Sequence, residues 1–144
     1  MDTSHFPETV DLPDAAAALP GHWSPRVVAR VNDQYVKVAR LLGEFTWHSH
    51  DDEDELFQVL KGRLRIQYED RPDVILEAGS IHVVPRGVRH NPMAEEECWI
   101  VLIETVTTRH TGDVETPLTR TIDEQLAPGT APATARPRPA ARRR

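Results

Sequence analysis

Apolar and polar positions begin to alternate at Val27. Residues 27–31 and 35–42 are rich in β-branched side chains, and Asn32-Asp33 between them suits a tight turn, so the pair predicts a hairpin. Residues 45–50 continue with period two, 51–54 form a polar loop, and 55–60 predict a strand ended by Lys61-Gly62. Leu64, Ile66 and Tyr68 then alternate with Arg63, Arg65 and Gln67, the pattern of a half-buried strand. After a turn at 70–73, strands over 74–76, 81–84 and 99–105 complete the set, interrupted by Gly79, the 85–87 turn and Asn91-Pro92. Eight or so short strands with frequent turns and no long helix predict an all-β sandwich or barrel.

The flanks read differently. Residues 1–25 hold Pro7, Pro13, Pro20 and Pro25 and an alanine run at 15–18, where Asp14 would cap a single helical turn ended by Pro20. This is an N-terminal arm. The barrel spans 26–126, with a weak helical pattern over 118–126 as a closing segment. Residues 127–144 are mostly Pro, Ala, Thr and Arg, a composition that buries too little to offset its ordering entropy, and are read as a disordered tail.

Composition adds three constraints to the 144-residue chain. Its 28% charged and 39% hydrophobic residues suit a soluble globular domain, and no run approaches the roughly 18 apolar residues of a membrane span. The N-terminus lacks the basic and apolar regions of a secretory signal, and Cys98 is the single cysteine, so no intrachain disulfide forms; both points favour the cytoplasm. The net charge of −6 hides an asymmetry, because residues 136–144 contain five arginines and no acid, leaving twelve basic against 23 acidic residues elsewhere. An acidic body argues against nucleic-acid binding by the fold, and the arginine tail reads as a solvated, solubilising segment.

The candidate chemistry lies in two short segments. On a strand His48 and His50 share a face, Glu55 returns beside them after a four-residue loop, and His90 follows a Pro-x-Gly turn that bends the chain inward. Three imidazoles and one carboxylate are a ligand set for a borderline metal, with Trp47 and Phe57 as possible apolar walls. The acidic run 51–54 reads as a solvated loop. His82 is a weak catalytic candidate: facing inward it would be an acid–base group, but alternation without a register favours a surface position. Tyr68, Gln58, Trp99 and Glu104 are possible pocket liners whose ordinary role is packing or exposure. No base activates Cys98, which reads as a packed residue. His5, His22 and His110 lie in arms and loops with no spacing that recruits them, although His22 beside Trp23 could cover the barrel mouth.

These residues resemble the two motifs of the cupins. Gly43, His48, His50, Glu55 and Gly62 fit G-x4/5-H-x-H-x3/4-E-x6-G, and Gly79, Pro85, Gly87 and His90 fit G-x5-P-x-G-x2-H-x3-N, with Ala94 in place of the last residue. The family uses that last position structurally, so the departure touches a turn and not a ligand. The wider run from His22-Trp23-Ser24-Pro25 through residues 53–57 to Thr111-Gly112-Asp113 is similar to a group of small bacterial cupins often labelled mannose-6-phosphate-isomerase-like, a label that carries no activity over. The resemblance implies an RmlC-like double-stranded β-helix, or jelly-roll, barrel that pairs as a homodimer. It implies His48, His50, Glu55 and His90 as ligands of one divalent transition metal (Fe, Mn, Ni, Cu or Zn), with positions left open for water or substrate. The expected function is that of a metal-dependent small-molecule enzyme of dioxygenase, isomerase or lyase type; the alternative is a ligand- or metal-sensing binding module without turnover. No nucleic-acid or membrane partner is expected.

Overall fold

The computed structural model describes residues 6–126. The tail expected to be disordered and His5 lie outside the described residues. An N-terminal helix α1 (Leu12–Ala17) precedes seven strands: β1 (Arg26–Val31), β2 (Gln34–Glu44), β3 (Glu55–Lys61), β4 (Arg63–Tyr68), β5 (Val74–Glu77), β6 (Ile81–Val84) and β7 (His90–Thr105). A short helix α2 (Ile122–Leu126) follows. Every pairing between these strands is antiparallel; the main path runs β1-β2-β7-β3-β6, and β4 bridges β5 to the first half of β7. No described helix is long and apolar enough to cross a membrane.

Two departures from the sequence reading have clear causes. Residues 45–50 are extended but form no ladder strand, because His48 alone pairs, its N–H and carbonyl both bonded to His90 at 3.0 and 2.9 Å. Asn91-Pro92 does not break the chain: β7 runs 16 residues through it. Pro92 has no N–H to give, but its carbonyl accepts from Phe45 N–H at 3.0 Å and its position opposite Ile66 keeps the ladder in register. Residues 95–97 instead bulge outward between the Ala94 and Cys98 pairings. The expected strand over 45–50 is thereby lost and the one over 99–105 begins at His90, which leaves seven strands among the described residues.

The pleat divides the strands into two faces. Lys37, Ala39 and Leu41 of β2, Glu55, Phe57 and Val59 of β3, and Cys98, Ile100, Leu102 and Glu104 of β7 point into the barrel, where the apolar members join Leu64, Ile66 and Leu76 in the main core. Val38 and Val101 point outward and are covered by Ala16 and Leu19 from the α1 region. The arm is therefore docked on the sheet. Its helix is capped by Asp11, whose carboxylate accepts Asp14 N–H at 2.9 Å, and not by Asp14 as the sequence suggested. Pro13 in the first turn explains the shift, since proline suits the start of a helix.

After the helix, Trp23 folds over the end of the barrel with a positive φ of 56°. Its backbone N–H donates to Arg40 O at 2.9 Å, its indole N–H donates to Leu42 O at 2.8 Å, and its ring stacks on Phe45 at 4.5 Å. These contacts offset a backbone conformation that costs on the order of 1 kcal/mol. From the other end of the chain, residues 106–126 return over the same mouth: Arg120 donates to Ser24 Oγ at 3.2 Å, Leu118 packs on the core, and Gln125 is buried.

Candidate metal centre

The two motifs meet through their backbones. Besides the His48–His90 bridge, Gly87 N–H donates to His50 O at 2.7 Å and Arg86 N–H donates to the Asp54 carboxylate at 2.9 Å. The turn at 85–87 is thereby clamped against the loop that joins His50 to Glu55. That clamp brings His48, His50, Glu55 and His90 together, with one ligand atom of each lying within 4.8 Å of all the others, and all four residues buried. Phe45 and Phe57 support the rings edge-on, Phe45 against His48 at 5.5 Å and Phe57 against His90 at 6.4 Å.

The orientation of two imidazoles is set by the main chain. His48 Nδ1–H donates to Thr46 O at 2.9 Å and His90 Nδ1–H donates to Val88 O at 3.0 Å. These bonds place the proton on Nδ1 and leave Nε2 as a lone-pair donor, the arrangement in which an outer hydrogen bond fixes a ligating histidine. The Glu55 Oε1 atom lies 3.4 Å from His50 Nε2 and 3.3 Å from His90 Nε2. All three of these atoms are buried without a hydrogen-bond partner. Such a convergence is costly if left empty. The same spacing suits donors about 2.0–2.2 Å from one shared ion, which lie roughly 3.0–3.4 Å apart. The donor set therefore fits a divalent transition metal.

The charges agree. Burial, reinforced by the neighbouring His90, pushes His48 down to about 4, so its ring is neutral and free to ligate at neutral pH. Burial works against ionisation of Glu55, but His50 and His90 outweigh it and hold the carboxyl well below the usual carboxylate range. Burial also opposes a charged His50, and there the contact with Glu55 prevails and raises it.

On one side of the cluster lies a cavity of about 30 Å³, walled by Trp23, Phe45, Phe57 and Leu102 and reached by His48, Glu55 and His110. Phe57 is the apolar wall expected from sequence. Trp47 is not: it neighbours His48 along an extended chain, so the two point to opposite sides, and Trp23 and Phe45 take its place. His110, expected to be a bystander, enters the cavity from the returning segment. His22 does not cover the mouth; it sits outside with Nε2 2.7 Å from Glu97 Oε2.

The other candidates are resolved by register. His82 pairs directly with Phe57 and so faces the interior, against the outward expectation, where its Nε2 lies 2.7 Å from the Tyr68 hydroxyl. It does not line the cavity beside His48. Gln58 alternates with the inward Phe57 and Val59, and Trp99 packs with the outer cluster. Glu104 pairs with Glu55 across β3 and β7 and is buried, bonded to Lys37 Nζ at 2.5 Å; Lys37 also donates to Gln125 Oε1 at 2.6 Å. Burial, and then the charge of Glu55, lift the Glu104 carboxyl above its usual range while Lys37 pulls it back. The exposed Asp51 and Asp52 behave as a solvated loop, and Glu53 is tied to the Thr107 hydroxyl at 2.8 Å. Burial drives the Cys98 thiol up to about 12, which leaves it inert.

Comparisons with known proteins agree with this architecture. A family model described as the cupin domain matches residues 40–104, the span that contains both motifs. A cupin-2 domain containing protein from Shewanella frigidimarina is 44% identical at a TM-score of 0.65, aligned over 67% of this chain and 94% of that one. A Neisseria meningitidis protein is 31% identical at a TM-score of 0.63, over 68% of this chain and 99% of that one. The uncharacterised protein YdbB of Bacillus subtilis is 41% identical over 63 residues, 44% of this chain and 56% of that protein, so the match spans little more than half of its length. With its two motifs folded into one four-residue cluster inside an antiparallel barrel, this chain belongs to the cupin family.

Proposed function

We propose that this cupin is a metal-dependent enzyme acting on a small molecule, of dioxygenase, isomerase or lyase type, with His48, His50, Glu55 and His90 holding one ion of iron, manganese, nickel, copper or zinc. One observation carries the reading: two members of the four-residue cluster, His48 and Glu55, line a mostly apolar cavity, so the cluster is not sealed in the core. Closed donor sets are structural, whereas a set facing a cavity leaves room for a substrate. A bound ion would supply Lewis-acid polarisation or a redox centre.

The chain's own residues supply the rest. The Thr46 and Val88 carbonyls hold two imidazoles in a single tautomer and orientation, which removes the cost of ordering them when a ligand arrives. Phe45, Phe57 and Leu102 exclude water, so the charge of Glu55 acts at low dielectric. His110 brings a polar hydrogen-bonding group to the cavity, which a purely apolar sensor pocket would lack.

The test is turnover. Protein loaded in turn with each of the five metals is expected to consume at least one compound from a panel of small enols, carbonyl compounds and carboxylates. The activity should vanish with chelation and in Glu55→Ala. Saturable binding without loss of any compound, under every metal, would replace the enzyme by the ligand- or metal-sensing module.

A further inference from the structure

His110 is the imidazole at the cavity that the proposed ligand set leaves unused. Its ring lies 5.0 Å from the Phe45 ring, and its Nδ1 accepts the backbone N–H of Arg120 at 2.9 Å. An Nδ1 that accepts must lack a proton, so the neutral ring carries its hydrogen on Nε2. Among the described residues no protein group takes up that hydrogen. Burial, helped by the nearby charge of Lys37, keeps the ring neutral by pushing it down to about 3. The support is firm: the Arg120 guanidinium donates to Ser24 Oγ, Pro117 O and Thr119 O at 3.1–3.2 Å. The same returning segment presses Gly112 against the Ser49 backbone.

The cavity also limits what His110 can meet. Its volume of about 30 Å³ admits roughly two water-sized groups, so only a small head group enters. The four imidazoles at the cavity and cluster include two held neutral by burial, His48 and His110. One divalent ion with the Glu55 carboxylate leaves net positive charge there, which favours an anionic oxygen over a neutral one at low dielectric.

We propose that His110 is a ligand-recognition residue, whose Nε2–H donates to an anionic oxygen of a small carboxylate or enolate seated in the cavity beside His48 and Glu55. The proposal rests on the metal-dependent reading of the site. It narrows the substrate class to molecules that present a compact oxyanion group, and it gives the 106–126 segment a role in recognition as well as closure.

Cobalt(II) as the metal and acetate as the ligand supply the probe, with acetate titrated against the visible absorption of the cobalt-loaded protein. Hydrogen bonds to charged groups are strong, so His110→Phe is expected to weaken acetate binding by about tenfold or more. His110→Gln, which retains an N–H donor, should stay within roughly threefold of the parent on the same grounds. Cobalt affinity should be unchanged in both. Equal acetate affinity in His110→Phe and the parent would overturn the proposal, as would a spectrum that acetate does not alter in the parent. A loss of cobalt affinity in His110→Phe that matches the loss of acetate affinity would also overturn it, because His110 would then be supporting the metal site. Failure of the parent to bind cobalt at all would bring down the metal reading first and this inference with it.

Discussion

Replacing Lys37 by Met is expected to destabilise the metal-free protein by about 3 kcal/mol at pH 9, where Glu104, raised to about 8, is ionised in the parent and the loss falls in the range for breaking one side of a buried ion pair. Lys37 is 1% exposed, and its ammonium is shared between Glu104 Oε2 and Gln125 Oε1. Methionine keeps the stem's packing and removes the charge, so Glu104 is left in the barrel beside Glu55. The effect is expected to grow with pH. Without Lys37 the folded Glu104 carboxyl is raised further above its unfolded value, because only burial and Glu55 then act on it. The folded state then holds a proton that the unfolded state has released. A folded state that binds more protons loses stability as pH rises between the unfolded and folded pKa values. Because the parent's Glu104 is itself raised to about 8, the gap between parent and variant, measured by denaturant unfolding, should open as pH rises through that value and be smaller at pH 6 than at pH 9. Adding Glu104→Gln to Lys37→Met should recover part of the loss and flatten the pH dependence. A variant that unfolds at the parent's denaturant concentration would show that the pair is not buried as described.

Gly112→Ala is expected to damage both fold and site. A Cβ at Gly112 would lie 2.1 Å from Ser49 O and 3.2 Å from Ser49 C, and the residue has a φ of 62°. Backbone strain alone costs roughly 1–2 kcal/mol. The overlap is with main chain between His48 and His50, so it is relieved only if the returning segment lifts or the histidine segment shifts. A shift of the histidine segment displaces His48 and His50, and lifting the returning segment removes the backbone packed on Ser49 between them, so a fall of about tenfold or more in metal affinity is expected, the scale seen when the support of a ligand is removed. Gly43→Ala is the matched comparison. Gly43 has a φ of 82° but no heavy atom within 4 Å of the added Cβ, so it should suffer the strain without the loss of metal affinity. Equal metal affinities in the two alanine variants would refute the close approach at Ser49.

The reasons that some of this was legible in sequence, and some not, are physical. Alternation along 63–68 and the β-branched runs of β1 and β2 express a pleat with one buried face, so those strands could be read locally. His48 and His50 share a face for the same reason, and Glu55 follows closely enough to return beside them. His90 was accessible through its Pro-x-Gly turn. Non-local pairing was not accessible. The inward turn of His82 follows from its register against Phe57, which no short-range pattern reveals. Pro92 looked like a breaker until β4 and Phe45 supplied partners on either side of it. His110 reaches the cavity because residues 106–126 fold back, a path set by contacts such as Arg120 with Ser24, 96 residues apart in sequence. Trp23 and Gly112 lay within the stretch that resembles small bacterial cupins, but their jobs, roofing the cavity and clearing the Ser49 backbone, appear only in three dimensions. The buried Lys37 offered no signal, since its strand neighbours are apolar on both sides and its partners come from β7 and α2.

The most direct measurement is the metal content of untagged protein purified without chelator, taken by elemental analysis beside a His48→Ala/His50→Ala double variant. The account predicts about one equivalent of iron, manganese, nickel, copper or zinc in the parent and close to none in the variant, since three histidines and one carboxylate form a single-ion ligand set. No metal in either protein, even after reconstitution with each of the five ions, would contradict it.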